Sequence, residues 1–223
     1  DSHLIVAGEL PYTLISLGNQ VGYAPGPGFA GADSFQFQAD DSGVPPDGGT
    51  SALATIDIIV GGPSQIYSWA LDVDPGWTTE DQWAFGVPLG LAGDPAGGFT
   101  GTNVYGYNLG GDYPNNMPER YLTSTPVDCS SVANAELRFQ RWLGIESASF
   151  DRASVEVSNN GLTWTTLWEN GFTTMDEQTW TAQSLDISSV ADGQASVQIR
   201  WKMGTTDGSI IYHGWNIDDI EIW

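Results

Sequence analysis

Basic residues, cysteines and long apolar runs are all scarce in this sequence. The 223 residues include only 6 Lys and Arg beside 28 Asp and Glu, which gives a formal charge of −22. Such a charge repels nucleic acids and anionic lipid heads, and no cluster of basic residues offsets it, so we expect neither kind of partner. The apolar runs are far too short to cross a bilayer, so membrane insertion is not expected either.

Cysteine is limited to Cys129, which therefore has no partner for an internal disulfide. No neighbouring histidine or cationic residue in the sequence would activate its thiol. We expect Cys129 to be a small buried apolar residue, and its presence does not determine the cellular compartment.

Helical periodicity is nearly absent, whereas alternation with a period of two is common. Apolar residues alternate with polar ones at Leu137 and Phe139, at Val155 and Val157, and again from Val197 to Met203. The pair Asn160-Gly161 is a hairpin signal between two such runs. This pattern predicts an all-β fold, namely an antiparallel β-sandwich.

A change in composition at Gly61-Gly62-Pro63-Ser64 indicates a domain boundary. We therefore predict a first module over residues 1–62, a linker over 63–66 and a second domain over 67–223. Strands are expected in the first module around residues 10–16, 20–23, 34–38 and 52–60.

The first module resembles the second half of bacterial cadherin-like, Ig-like tandem repeats. The residues that carry the resemblance are 21–41, with their Tyr-x-Pro, Gly-Phe-x-Gly and Asp-Ser-Phe elements, and the closing run Ala54–Val60. The resemblance implies a truncated β-sandwich repeat whose first strands precede Asp1. On this interpretation the chain is a fragment of a longer multidomain protein.

The second domain resembles the jelly-roll sandwiches of MAM-like domains in secreted bacterial proteins and adhesins. Three stretches carry the resemblance: residues 93–95 with 101–108, residues 137–142 with 154–164, and the closing run 214–222, which begins Gly-Trp-Asn-Ile-Asp-Asp-Ile. The disulfides of animal MAM domains are missing, so only the bacterial branch fits. The resemblance implies an extracellular or cell-surface, non-catalytic module that often holds a structural cation.

Clustered carboxylates at predicted turns point independently to calcium, which takes six to eight oxygen ligands. Asp218 and Asp219 are adjacent near the end of a strand, so one of them should face inward, which is unfavourable without a compensating cation or hydrogen bonds. We expect Asp94 with Asp218 or Asp219 as ligands. The full set of candidate ligands is Asp72, Asp74, Asp81, Asp94, Asp218 and Asp219.

Catalytic motifs are absent from the sequence. It contains no Gly-x-Ser-x-Gly and no His-Glu-x-x-His, and its two imidazoles are His3 and His213. We therefore expect a structural or adhesive module rather than an enzyme. Its partners would be neighbouring domains of the same polypeptide, another surface protein or a second copy of itself.

The sequence is also compatible with two other functions. The ten Trp and eight Tyr suit a carbohydrate-binding module, in which exposed aromatic faces stack on sugar rings. The candidates in turn-rich stretches are Trp77, Trp83, Tyr107, Tyr113 and Trp180. The third function is that of an accessory domain of a secreted peptidase.

Overall fold

The computed structural model describes residues 22–26, 29–44, 48–62 and 64–223. The chain folds into two compact units, Asp1–Ser64 and Gln65–Trp223. In the first unit, β1 (Gly31–Phe37) pairs with β2 (Ala54–Val60) in an antiparallel ladder. These strands correspond to two of the four predicted in this module. The strand predicted at residues 10–16 and half of the one predicted at 20–23 lie outside the described residues.

The acidic turn beyond β1 is held by hydrogen bonds to its own backbone. Asp41 Oδ1 accepts the backbone N–H groups of Gly43, at 2.9 Å, and of Gly49, at 2.7 Å. These bonds favour the ionised form, so they lower the pKa of Asp41. The carboxylate therefore organises the turn between the two strands.

The second unit consists of two antiparallel sheets. The smaller sheet has the order β10-β9-β13-β7-β4, and in the larger sheet the order is β11-β8-β14-β6-β5, with β12 also paired to β8 and β3 to β14. The strands of the small sheet are β4 (Thr78–Thr79), β7 (Arg120–Thr123), β9 (Ala153–Ser158), β10 (Thr165–Glu169) and β13 (Gln198–Met203). Those of the large sheet are β3 (Tyr67–Trp69), β5 (Trp83–Gly86), β6 (Val104–Tyr107), β8 (Glu136–Ile145), β11 (Met175–Asp176), β12 (Thr181–Asp186) and β14 (Gly214–Ile222).

The alternation in the sequence sets which side chains face the interior. In β13, Ile199, Trp201 and Met203 are buried, whereas the intervening polar side chains are partly exposed. In β8 the buried positions are again every second residue over most of the strand. The predicted all-β fold, an antiparallel β-sandwich, is confirmed.

Aromatic rings join the two sheets across the core. The Trp201 ring of the small sheet stacks on Trp77, with ring centroids 5.6 Å apart, and Trp77 in turn stacks on Tyr105 of the large sheet at 5.4 Å. Phe139, also from the large sheet, meets Trp201 edge-on at 5.5 Å. Burial of these large rings supplies much of the hydrophobic stabilisation that holds the sheets face to face.

Helix is limited, in the described part of the chain, to the four residues of α1 (Ser188–Ala191). Within the same residues, no helix has the length and hydropathy needed to span a bilayer. Cys129 is fully buried, as the sequence suggested, and burial raises the pKa of its thiol.

Replacement of the central ring tests this account of the core. We expect Trp201→Ala to lower the free energy of unfolding by about 3–5 kcal/mol, because it opens a cavity between the sheets. The matched control is Leu162→Ala, since Leu162 is 87% exposed and its loss should change stability by less than about 0.5 kcal/mol. Urea unfolding monitored by tryptophan fluorescence measures both; equal effects would contradict the assignment of Trp201 to the core.

Candidate functional site

A long loop, residues 87–103, lies over the outer face of the large sheet. Trp142 Nε1 donates a hydrogen bond to Gly93 O at 2.8 Å. Farther along, the backbone N–H of Thr100 donates to Asp218 Oδ2 at 3.0 Å. The loop is therefore attached to β8 and to β14, the two central strands of the sheet.

Oxygen atoms from three positions converge beside Gly98 in this loop. A Cβ atom built on Gly98 would lie 2.8 Å from both Asn103 O and Asp218 Oδ2, and closer still to Thr100 O. Two of these oxygens are backbone carbonyls and the third belongs to a carboxylate. These close approaches leave no room for a side chain at position 98, and they bring oxygen atoms of the kind that calcium prefers to the junction of the loop with β14.

Asp218 and Asp219 differ in burial, but their carboxylates face the same loop. Asp218 is fully buried, and burial raises the pKa of its carboxyl to about 6. Asp219 adopts a φ of +45° at an irregularity in the pairing of β14 with β8, and its Oδ1 accepts the Thr100 hydroxyl at 2.6 Å. The irregularity lets both carboxylates reach the same loop, where strict alternation would have separated them.

The other predicted metal ligands are engaged elsewhere. Asp74 accepts the hydroxyl of Tyr105 at 2.6 Å, and Asp81 accepts that of Tyr107 at 3.0 Å. Asp72 is exposed beside Gly101, where a built Cβ would lie 2.5 Å from Asp72 Oδ1. Among the described residues, no three of the six predicted aspartates bring carboxylate oxygens within 4.8 Å of one another. The six aspartates therefore do not form one carboxylate cluster in the described structure, and calcium binding by any of them stays a prediction.

Asp94 is hydrogen-bonded to Asn216. Asn216 Nδ2 donates to Asp94 Oδ1 at 2.7 Å, and both side chains are buried. Asp94 Oδ2 and Asn216 Oδ1 have no hydrogen-bond partner. Burial raises the pKa of Asp94 to about 7. A proton on this carboxyl would supply the donor that the pair lacks.

His213 is also enclosed, and its ring lies beside Gly93, the residue that precedes Asp94. The ring contacts Gly144 as well, a position where any Cβ would collide with it, and neither ring nitrogen has a hydrogen-bond partner. Burial lowers the pKa of His213, which favours the neutral imidazole. The side chain therefore packs in the interior of the domain.

Sequence reasoning missed the one group of three acidic side chains that the described structure brings together, Glu146, Asp151 and Asp207. Glu146 and Asp151 lie close in sequence after β8, but Asp207 comes from the loop between β13 and β14. No local pattern connects such distant positions. Only the spacing of Glu146 and Asp151 beyond a strand end could have drawn attention to them.

Four of the five predicted ligand-binding aromatics are in the core. Trp77, Trp83, Tyr107 and Tyr113 are each at most 5% exposed, so their faces cannot stack on an external sugar. These candidates are corrected for that reason. Trp180 is partly exposed and meets Phe99 and Trp142 edge-on, with centroids 6.4 and 5.9 Å apart.

Comparison with known proteins gives distant structural similarity alone. The sequence matches no protein-family model and no curated protein. The K3 adhesin domain of Lys-gingipain from Porphyromonas gingivalis is 16% identical with a TM-score of 0.45, covering 72% of this chain and 99% of its own. A carbohydrate-binding module of the β-sandwich superfamily is 14% identical, with a TM-score of 0.47. The match covers 87% of this chain and 75% of that protein. A xylan-binding domain from Paenibacillus barcinonensis is 11% identical, with a TM-score of 0.43. The match covers 71% of this chain and 93% of that domain. At these values the similarity assigns no ligand.

The Asp94–Asn216 pair predicts a specific dependence of stability on pH. The folded pKa of Asp94, about 7, lies above the ordinary value of 3.8, so between these values the native state keeps a proton on Asp94 that the unfolded state has lost. The free energy of unfolding therefore falls as pH rises from about 4 to 7. Asp94→Asn removes this contribution, so we expect its melting temperature to exceed that of the parent at pH 8 by several degrees and to match it at pH 4.

Calorimetric melting temperatures in chelator at both pH values measure this effect. Asp57→Asn serves as the control, because Asp57 is an exposed carboxylate on β2. An Asp94→Asn variant that is less stable than the parent at pH 8 would show that the ionised carboxylate is favourable in the fold.

Proposed function

We propose that residues 65–223 form a non-catalytic structural or adhesion domain, extracellular or at a cell surface, that calcium stabilises at the Gly98 loop. In this proposal the domain is a MAM-like jelly roll, and the first unit is the end of a cadherin-like repeat. The convergence of Thr100 O, Asn103 O and Asp218 Oδ2 beside Gly98 is the observation that carries the proposal.

The cost of burying Asp218 is the physical reason to place an ion there. Ionised, the carboxylate receives backbone hydrogen bonds from the N–H groups of Thr100 and Asp219. No Lys, Arg or His among the described residues lies within 4.0 Å of it. A divalent cation would supply the missing positive charge and would also occupy the lone pairs of the two carbonyls.

Such an ion would connect parts of the chain that are far apart in sequence. Asp218 belongs to β14, the strand that pairs with β8, β6 and β3, whereas Thr100 and Asn103 belong to the loop before β6. Calcium would therefore attach the covering loop to the central strand of the large sheet. Ligand binding to the folded state alone raises its stability in proportion to the logarithm of ion concentration.

Thermal unfolding of the full chain in calcium and in chelator tests the proposal. We expect calcium at 100 times its dissociation constant to stabilise the fold by about 2.7 kcal/mol, which raises the melting temperature by roughly 5–10 °C. Asp218→Asn should lose most of this rise, because the amide is a weaker ligand without charge. The matched control, Asp192→Asn, alters a carboxylate that caps the backbone N–H groups of Asn134 and Ala135, and it should keep the calcium response.

Calcium binding also requires an ionised Asp218 carboxylate. The increase in melting temperature caused by calcium should therefore become smaller as pH falls through about 6. If calcium raised the melting temperatures of the parent and of Asp218→Asn equally, calcium would not bind at this site.

Carbohydrate binding is the second candidate function, and the partly exposed ring of Trp180 favours it. Phe99, from the same covering loop, is 49% exposed and lies against Trp180. Trp142 also contacts the Trp180 ring and holds its orientation. This pre-positioned aromatic surface could stack on a sugar ring without much loss of side-chain entropy.

A glycan array followed by calorimetric titration tests this second function. We expect Trp180→Ala to weaken the affinity for any bound oligosaccharide at least tenfold, a change of about 1.4 kcal/mol. Trp164→Ala is the control, because Trp164 is another partly exposed ring, which packs on Arg200 of the small sheet. Equal weakening by both variants, or none by Trp180→Ala, would exclude the Trp180 surface.

A further inference from the structure

A polar groove runs along the outer face of the large sheet, beside the covering loop. It has a volume of about 250 Å³, close to the lower limit of about 300 Å³ for small-molecule sites, so its enclosed part suits one ring-sized group. The side chains that line it come from three adjacent strands: Arg138 and Gln140 of β8, Ala182 and Ser184 of β12, and Asp219 and Glu221 of β14.

The groove is continuous with the exposed aromatic surface at Trp180. Every second residue of a strand faces the same side, so Arg138, Gln140 and Trp142 form one row along β8. Trp142 meets the Trp180 ring edge-on, with centroids 5.9 Å apart. Four residues at about 3.3 Å each give this row a length of roughly 13 Å, which exceeds a single ring.

The two sides of the groove differ in height. On one side Ala182 pairs with Gln140, and its single methyl group leaves the space beside the Gln140 amide open. On the other side Asp219 Oδ1 accepts the Thr100 hydroxyl at 2.6 Å, so the covering loop forms a wall. A ligand that lies against this wall would cross Gln140 on its way to Trp180.

Arg138 is a hydrogen-bond donor with a fixed orientation. Its Nε donates to Glu136 Oε2 at 2.9 Å, and its guanidinium lies over the Trp223 ring, 4.5 Å from the centroid. The pair with Glu136 uses Nε and Nη2, which leaves Nη1 for a ligand. Because the side chain is already held, binding would cost little rotamer entropy.

The other polar groups supply both donors and acceptors. The partly exposed amide of Gln140 has two N–H donors and a carbonyl acceptor. Glu221 is held in place by Gln65 Nε2 and Trp223 Nε1, each donating to one of its oxygens at 2.7 Å. A hydroxyl group both donates and accepts, so a ligand with many hydroxyls matches this mixture.

The charges that face the groove narrow the ligand further. The charge of Arg138 is balanced by Glu136, which leaves Asp219 and Glu221 to give the groove a negative potential. The chain as a whole has a formal charge of −22, so anionic ligands are repelled. A cation in the groove would lie beside the Arg138 guanidinium, which opposes it. The combination favours a neutral ligand.

We infer that the groove and Trp180 form one binding site for a neutral oligosaccharide chain. Trp180 stacks on one sugar ring, and Gln140 and Arg138 form hydrogen bonds with the hydroxyl groups of the rings that follow. The inference rests on the carbohydrate-binding function proposed above, and it extends that function from one aromatic ring to a site that takes a chain and rejects charged glycans.

Binding measurements on the full chain test the inference. The probes are cellohexaose, mannohexaose and maltohexaose as neutral chains, with oligogalacturonate as the anionic chain and a chitosan oligosaccharide as the cationic one. We expect at least one neutral chain to bind more tightly than both charged chains. Titration calorimetry then gives the affinity of each variant for that chain.

Filling the groove separates it from the Trp180 ring. Ala182→Tyr removes no polar group and places a bulky side chain at an exposed strand position, where Tyr is well tolerated. We expect it to weaken the affinity at least tenfold. The matched control is Thr166→Tyr at an exposed position of β10 in the small sheet, which should leave the affinity unchanged.

A second variant tests the hydrogen bonds and keeps the groove open. Gln140→Ala should weaken binding by roughly threefold to tenfold, and it decides the outcome should Ala182→Tyr not fold by circular dichroism. Weaker binding by Trp180→Ala alone, with Ala182→Tyr and Gln140→Ala at parental affinity, would overturn the inference and leave the Trp180 surface as the sugar site. Binding of no neutral chain would overturn both. Tighter binding of either charged chain would overturn the assigned ligand class.

Discussion

The structure has to bury acidic side chains although the chain has very few cations. Five Asp or Glu residues are buried in the described part of the second unit, namely Asp94, Glu146, Asp151, Glu156 and Asp218. Only Glu156 has an ion pair there, with Arg200. Burial of an unpaired carboxylate is unfavourable by several kcal/mol unless its charge is removed or compensated. The remaining four carboxylates therefore determine how the fold depends on protons and metal ions.

These carboxylates meet this constraint in different ways. Asp94, beside the amide of Asn216, has a pKa near neutrality and can take up a proton. Asp218 accepts backbone N–H groups beside the carbonyls of the covering loop, where we propose a calcium ion, and Asp151 accepts the Tyr113 hydroxyl and the Asp207 N–H. The aromatic core holds the two sheets together, while these polar groups connect the loops to the sheet ends. The calcium dependence that we propose would suit a structural or adhesive role outside the cell, where that ion is abundant.

Much of the fold was predictable because alternation in a strand depends only on neighbouring residues. The buried positions of β13 and β8 follow directly from their sequence. The sequence also predicted that one of the two adjacent aspartates would be buried, and that residue is Asp218, although the irregularity at Asp219 brings both carboxylates to the same loop. Composition could not show which aromatics face outward. Trp77 and Trp180 look alike in turn-rich sequence, yet one stacks in the core and the other is partly exposed.

The contacts at the proposed calcium site were harder to predict, because they join distant segments. Carbonyl oxygens such as Thr100 O have no signature in the sequence, and the approach of Asp207 to Glu146 depends on how two loops pack. The most direct test is a crystal structure of the full chain grown with calcium, with anomalous scattering recorded. Our account predicts a peak beside Asp218 Oδ2. A well-ordered Asp218 carboxylate with no peak beside it, in millimolar calcium, would contradict it.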